Sequence, residues 1–246
     1  MSNADENELH NFKDDDDGIM PIDPLGERTR SLGAKHNKPD EVEIGFTDTI
    51  NNFVKRGEYI DLLKTVPTLR EVYVGAGWEL KNVGDEKIDV DLSCFLIDKT
   101  GKTREDGDFV FYNNETTLDG AVKHLGDSRT GDGRGDDEVI FFDLNGIPFD
   151  IIRIPLVVSI YDERLRGWNF GMLQDIYIRL VNREDNHEIL RIAIDSDEFK
   201  RDTGVFVATL VREGPKWFLE VPLQPIEGGL AAVAKQYGII VREITS

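Results

Sequence analysis

The sequence predicts an all-β fold, a sandwich or a barrel, and three observations indicate it. Short apolar segments follow one another along most of the chain after residue 68. Residues 88–93 alternate strictly between apolar and polar side chains, which is the period of a strand with one buried face. Glycine, asparagine, aspartate or proline bounds most of the segments. So many strands in succession favour packed sheets over alternating strands and helices.

The first fifty residues differ from the rest. Residues 1–50 are polar, contain four aspartates in a row at 14–17, and show no sustained apolar period. This composition predicts an acidic N-terminal extension that is largely disordered. Apolar residues between 50 and 63 favour either a short helix or an entry strand. Residues 51–246 are predicted to form one domain.

Candidate strands then follow closely. The first contains Val72 and Val74 and leads to Trp78, and the second is the alternating segment 88–93. Turn-forming residues at 183–187 and 213–216 predict two hairpin tips. The further candidate strands are 108–112, 138–144, 153–161, 175–182, 188–194, 205–211 and 217–221.

Two short helices complete the prediction. Apolar residues at 230, 233, 234 and 237 recur at helical spacing, with glycines before and after them. The segment 164–173 is predicted to hold a short helix on a crossover loop. The predicted fold is therefore all-β with short helices, one of them C-terminal.

Composition limits the function. The net charge of −19 repels nucleic acid and anionic lipid and attracts cations. The single cysteine, Cys94, lies in an apolar segment, so we expect a buried thiol and no disulfide framework. The N-terminus lacks the apolar core of a secretory signal, and no apolar stretch is long enough to insert into a membrane. We expect a cytoplasmic protein.

The strongest chemical signal is the segment 126–138. It contains five acidic residues, two arginines and four glycines. Glycines allow tight turns in which carbonyls and carboxylates converge, as Ca²⁺ requires. The length matches an EF-hand loop, but Arg129 and Asp132 stand where that loop needs an oxygen ligand and a glycine. A solvated turn remains the alternative explanation for the segment.

Two further segments carry oxygen ligands. Asp89 and Asp91 are expected on one face of a strand, about 6.6 Å apart, where two carboxylates repel unless a cation lies between them. Asn113 and Asn114 follow a candidate strand and supply neutral amide oxygens. The histidines have no transition-metal spacing, and no motif of a hydrolase or a nucleotide-binding loop is present.

Together these segments resemble the TerD family of tellurium-resistance and stress proteins. The resemblance covers about residues 54–241 and comes from the combination of segments rather than from any one of them. Its main segments are 75–78 (GAGW), 89–93 (DVDLS), 109–114 (FVFYNN), 126–138, 178–182 (IRLVN) and 228–232 (GGLAA). Glu79 and Ser128 depart from the family's usual aspartate and asparagine, and Arg134 stands where an acid is common.

The resemblance implies a two-sheet β-sandwich over residues 51–246 that binds Ca²⁺ in loops at one end. It also implies a cytoplasmic location, a role in tellurite or general stress resistance, and no enzymatic reaction. The implied partners are other stress-response proteins, and nucleic acid is not an implied partner. The matching candidate metal ligands are Asp89, Asp91, Asn113, Asn114, Asp127, Thr130, Gly131, Gly133, Asp136, Asp137 and Glu138.

The sequence and the resemblance leave three hypotheses about function. The leading hypothesis is a non-enzymatic calcium-binding stress-response protein. The alternative is a calcium-dependent scaffold or ligand-binding module that recognises a partner protein or a nucleotide. A metal-dependent hydrolase using Asp136 and Asp137 is the third hypothesis, and the polar loop around these acids favours metal binding over acid–base catalysis.

Overall fold

The computed structural model describes residues 52–81, 88–126, 135–161 and 166–240. The predicted extension, residues 1–50, lies outside this part of the chain. So do four of the predicted metal ligands, Asp127, Thr130, Gly131 and Gly133. All statements below concern the described residues.

Two antiparallel sheets make up the fold, which confirms the predicted β-sandwich. Sheet I has the order β1-β12-β11-β8-β3-β5, with β13 beside β11 and β4 beside β8, and sheet II has the order β10-β9-β2-β7-β6. The strands are β1 (Tyr59–Asp61), β2 (Glu71–Leu80), β3 (Val90–Phe95), β4 (Ile97–Asp98), β5 (Phe109–Val110), β6 (Val122–His124), β7 (Glu138–Asp143), β8 (Ile151–Ile160), β9 (Leu173–Asn182), β10 (His187–Ile194), β11 (Gly204–Glu213), β12 (Lys216–Glu220) and β13 (Gln224–Pro225).

The main core lies between the sheets and follows the alternation of the sequence. Val74, Ile140 and Ile178 from sheet II and Leu92 and Ile154 from sheet I are fully buried in one cluster. Burying such a side chain stabilises the fold by about 1.5–3 kcal/mol. Cys94 belongs to the same cluster, which confirms the expected buried thiol.

The predicted C-terminal helix is present as α2 (Gly229–Tyr237). It packs through Val233 and Ala234 on the outer face of sheet I, where Phe95 and Phe109 form a second apolar cluster. A shorter helix, α1 (Leu62–Thr65), begins at Asp61, whose side chain accepts a hydrogen bond from the Lys64 amide. That bond is the expected N-cap interaction.

The structure also corrects several element boundaries. The undecided segment near residue 60 forms β1 followed directly by α1. The predicted strand 108–112 is too long, because the backbone of Phe111 and Asn114 closes a turn after β5. In the segment 164–173, of which 164 and 165 lie outside the described residues, a 3₁₀ turn forms at Phe170–Met172 and Leu173 begins β9. The hairpin tips at 183–187 and 213–216 are confirmed.

Candidate metal site

Several strand ends that carry the predicted ligands lie at one end of the sandwich. In sheet I, Val90 at the start of β3 pairs with Ile160 at the end of β8. In sheet II, Glu138 at the start of β7 pairs with Ala76. The Leu92 amide of β3 donates a hydrogen bond to the Glu138 carboxylate, so the two sheets meet here. We call this region the acidic end, defined by Asp89, Asp91, Asp136, Asp137 and Glu138.

Asp89 and Asp91 lie beside two tyrosines. Asp91 is buried and pairs across the strand with Ser159, while the Asp89 carbonyl accepts a hydrogen bond from the Tyr161 amide at 2.9 Å. The rings of Tyr112 and Tyr161 meet edge to face at 5.9 Å. Burial raises the pKa of Tyr112, and Tyr161 and the carboxylates of Asp91 and Asp89 raise it further. Tyr112 therefore stays neutral beside these acids.

The asparagines are held by the turn that follows β5. The Asn114 side-chain amide donates to the Phe109 carbonyl at 2.6 Å and to the Gly107 carbonyl at 3.3 Å. Asn113 at the tip of the turn is exposed. Both asparagines line the same pocket as Asp91, so the structure brings these three predicted ligands together.

Asp136 has a different environment, on the face of sheet II away from the core. One of its carboxylate oxygens accepts hydrogen bonds from Arg179 Nε at 2.7 Å and from the Tyr177 hydroxyl at 3.1 Å. The side chains of Asp136 and Arg179 are both at least nine-tenths buried. Among the described residues, no group donates a hydrogen bond to the second oxygen, Oδ2. Asp136 is therefore the ion-pair partner of Arg179, and its second oxygen lies buried against Gly75.

Arg179 connects Asp136 to the neighbouring strand β10. Its guanidinium also contacts Glu188 at 3.2 Å, and Glu188 pairs with Arg191 at 2.7 Å. Burial alone would lower the pKa of Arg179, but its hydrogen bond to Asp136 and the charge of that carboxylate raise it. Arg179 is thus a permanent cation that balances Asp136.

Asp137 and Glu138 are bound by other parts of the protein. The Asp137 carboxylate accepts a hydrogen bond from the Trp78 amide at 3.0 Å, and its own amide donates to the Ala76 carbonyl at 2.7 Å. Glu138 turns inward, where its carboxylate accepts from the Leu92 amide and lies 3.5 Å from His124 Nε2. His124 is almost fully buried. These bonds fix the first residues of β7 against β2 and β3.

The predicted ligands thus divide into two groups. Asp91, Asn113 and Asn114 line one pocket, with Asp89 directly before β3, whereas the three consecutive acids 136–138 have different hydrogen-bond partners. Within the described residues, no three His, Cys, Asp or Glu side chains gather closely enough to hold a metal ion. A complete calcium shell therefore needs further oxygens, such as asparagine side-chain oxygens or backbone carbonyls.

Sequence reasoning missed the side chains that support these acids. Tyr177 and Arg179 alternate with apolar residues in the candidate strand 175–182, so the pattern places both on the face away from the core. An arginine at the centre of an otherwise apolar strand is an available signal for a buried carboxylate partner. No role is assigned to His124 from the sequence, and the structure buries it beside Glu138.

Gly75 is predicted to tolerate no side chain, because Asp136 lies against it. A Cβ atom at this position would come within 2.0 Å of Asp136 Oδ2. We expect Gly75→Ala to displace the carboxylate and to destabilise the protein by about 1–3 kcal/mol, as overpacking does. Urea unfolding measures this change. Gly107→Ala is the control, since the atom nearest to its added Cβ would be 3.8 Å away. Equal stability of the two variants would contradict the prediction.

Comparison with known proteins adds family evidence to this geometry. The family model described as TerD domain matches residues 51–237. The tellurium resistance protein TerD of Serratia marcescens is 38% identical over 186 residues, which cover 76% of this chain and 96% of that protein. General stress protein 16U of Bacillus subtilis (strain 168) is 37% identical over 187 residues, covering 76% of this chain and 96% of that protein.

A solved structure supports the fold. The crystal structure of a homologue of telluride resistance protein (TerD) from Streptomyces coelicolor A3(2) matches with a TM-score of 0.56 at 19% identity. The match covers 68% of this chain and 95% of that chain. Since the identity is low, this likeness establishes the fold alone.

The architecture defines a two-sheet antiparallel β-sandwich with an acidic end. With the match over residues 51–237 and the relatives above, the chain belongs to the TerD family of tellurium-resistance and stress-response proteins. In the described part of the chain, no helix is long and apolar enough to cross a membrane.

Proposed function

We propose that this protein is a calcium-binding stress-response protein of the tellurium-resistance type, without enzymatic activity. The observation that supports calcium binding best is that Asp91, Asn113 and Asn114 line the same pocket, with Asp89 directly before β3. Carboxylate and amide oxygens are the ligands that Ca²⁺ prefers.

The charge distribution supports a divalent cation at this end. Asp89 directly precedes β3 and Asp91 is its second residue, and between the sheets the Leu92 amide donates a hydrogen bond to Glu138. Carboxylates on one face of a strand repel each other, and the repulsion raises the free-energy cost of keeping both ionised. A divalent cation removes that cost. Asp127 and the loop positions Thr130, Gly131 and Gly133 are the further proposed ligands.

Calcium is favoured over magnesium by the kind of ligands available. Ca²⁺ accepts about six to eight oxygens in irregular arrangements, whereas Mg²⁺ needs near-octahedral geometry and retains its water. Two carboxylates, two amides and the backbone of a glycine-rich loop form an irregular set. We therefore expect selective binding of Ca²⁺.

Titration calorimetry tests the proposal. Ca²⁺ titrated into the full chain should give a heat signal that saturates. The double variant Asp89→Asn with Asp91→Asn should bind Ca²⁺ about tenfold or more weakly, because calcium affinity follows the number of charged ligands. The matched control is Glu184→Gln with Asp185→Asn, which removes two charges from an exposed hairpin tip at the opposite end. Absence of any calcium heat, or equal losses in both double variants, would exclude the proposed site.

The biological part of the proposal comes from the family. The relatives are named for tellurium resistance and general stress, and we propose a corresponding stress-response role for this chain in the cytoplasm. Other stress-response proteins are the proposed partners. The net charge of −19 argues against nucleic acid as a partner.

A second candidate function is a calcium-dependent ligand-binding module. It is favoured by the pocket itself, which has a volume of about 1010 Å³ and opens beside Asp91. That volume lies near the upper limit of ordinary small-molecule sites, about 300–1,000 Å³. A calcium buffer needs no such cavity, and the pocket supports this second proposal of a role beyond storage of the ion.

A further inference from the structure

The turn between β7 and β8 contains the only Asn-Gly dipeptide of the sequence, Asn145-Gly146. Both residues are exposed. Such a dipeptide is chemically labile, because glycine has no side chain to keep its amide nitrogen away from the side-chain carbon of the asparagine. The reaction between these two atoms is intramolecular, so its rate depends on how the turn holds them. The contacts of this turn therefore decide how fast the dipeptide reacts.

The carboxylate of Asp143 binds the nitrogen that would react. Its Oδ1 accepts hydrogen bonds from the Asn145 amide at 3.1 Å and from the Gly146 amide at 3.0 Å. The Gly146 amide also donates to the Asp143 carbonyl at 3.0 Å. The Asp143 side chain packs directly on Gly146, since a Cβ atom there would come within 2.5 Å of Asp143 Oδ2. Because hydrogen bonds to an ionised acceptor are stronger than neutral ones, the Gly146 amide is firmly held.

The backbone on both sides of the dipeptide is also fixed. Leu144 and Ile147 are buried in the main core. The Leu144 carbonyl accepts hydrogen bonds from Trp217 Nε1 at 3.1 Å and from the Arg212 guanidinium at 3.3 Å. The same guanidinium donates to the Ile147 carbonyl at 2.9 Å. The turn is therefore anchored at both ends, while the Asn145 side chain is exposed to water.

We propose that Asn145 is a deamidation site of this protein and that Asp143 controls the rate of the modification. In the first step, the Gly146 nitrogen loses its proton to hydroxide and attacks the side-chain carbon of Asn145. The new C–N bond closes a succinimide ring, the bond to Nδ2 breaks, and Nδ2 leaves as ammonia with a proton from water. Water then opens the ring to give aspartate or isoaspartate. The net reaction consumes water and releases ammonia, with no oxidation or reduction.

Asp143 opposes the first step of this reaction. Loss of the amide proton would leave a negatively charged Gly146 nitrogen 3.0 Å from a carboxylate oxygen, and two like charges at that distance repel each other. The hydrogen bond that held the proton would be lost as well. The isoaspartate product also lengthens the backbone between Leu144 and Ile147, whose carbonyls Arg212 binds. By slowing deamidation, Asp143 therefore protects the contacts of this turn.

Peptide mass spectrometry of the full chain, incubated in mildly alkaline buffer, measures the rate of deamidation at Asn145. Asp143→Ala should deamidate there about tenfold or more faster than the wild type, the factor in rate that loss of one hydrogen bond to a charged group supports. Asp195→Ala is the matched control, because it removes a carboxylate that accepts from the Asp197 amide at 2.9 Å in another turn. This control should react at the wild-type rate. In urea, where the chains are unfolded, the wild type and Asp143→Ala should react equally fast.

Equal rates in the folded wild type and folded Asp143→Ala overturn the inference. An acceleration that persists in urea also overturns it, because the local sequence rather than the folded turn would then be responsible. Asp143→Asn decides the question if the alanine variant does not fold, since it keeps an oxygen acceptor but removes the charge. Thermal unfolding checks that this variant is folded. It should deamidate at Asn145 several-fold faster than the wild type, and a wild-type rate in this variant overturns the inference.

Discussion

Saturating calcium is expected to raise the melting temperature of this protein by about 5–10 °C. A ligand at a hundred times its dissociation constant stabilises the native state by about 2.7 kcal/mol when it does not bind the unfolded chain. For a domain of this size, each kcal/mol shifts the midpoint by about 2–4 °C. The effect is large because the ion would neutralise Asp89 and Asp91 and would connect β3 with the segment that leads into β7.

Differential scanning calorimetry at constant ionic strength measures the shift. Magnesium at the same concentration should give less than half of it, because Mg²⁺ loses its water reluctantly at an irregular site. In Asp89→Asn with Asp91→Asn, the calcium shift should shrink while the metal-free protein keeps or gains stability, since the repulsion between the two acids is gone. An equal shift with magnesium, or a full calcium shift in the double variant, would show that the ion acts elsewhere.

The sandwich itself could be predicted because its strands alternate clearly. Residues 88–93 place Val90 and Leu92 toward the core and Asp91 and Ser93 away from it, as the structure confirms. Hairpin tips were predictable from turn residues in the same local way. Local patterns failed after β5, where the backbone turn between Phe111 and Asn114 ends the strand and the Asn114 side-chain amide donates to the Phe109 carbonyl.

The detailed site was harder to predict, because its partners are distant in sequence. Asp136 and Arg179 are 43 residues apart, and their contact depends on which strands are neighbours. From sequence alone, the three consecutive acids 136–138 all had the same apparent role as metal ligands. The structure separates them: Asp136 faces Arg179, Asp137 binds the Trp78 amide, and Glu138 crosses to sheet I. Sheet order and register determine these directions, and neither is visible in a local pattern.

Replacing Arg179 by methionine is expected to cause the largest loss of stability, about 3–5 kcal/mol. Methionine keeps much of the apolar stem but leaves the Asp136 carboxylate buried without its cation, and Asp136 is 2% exposed in the side chain. The measurement is urea unfolding in EGTA, so that calcium cannot replace the lost positive charge. Adding Asp136→Asn to Arg179→Met should recover part of the loss, because the uncompensated charge is then removed.

Arg183→Met is the matched control on the same side of sheet II. Arg183 also forms an ion pair, with Glu71 at 2.8 Å, but the two side chains are 46% and 39% exposed. Water screens such a pair, so its loss should cost about 1 kcal/mol or less. Two outcomes would contradict the prediction that Arg179 compensates the buried charge of Asp136. One is an equal loss of stability in the two arginine variants, and the other is no recovery on adding Asp136→Asn. The difference between the two arginines therefore measures how strongly the start of β7, and with it the proposed calcium ligands, depends on one buried ion pair.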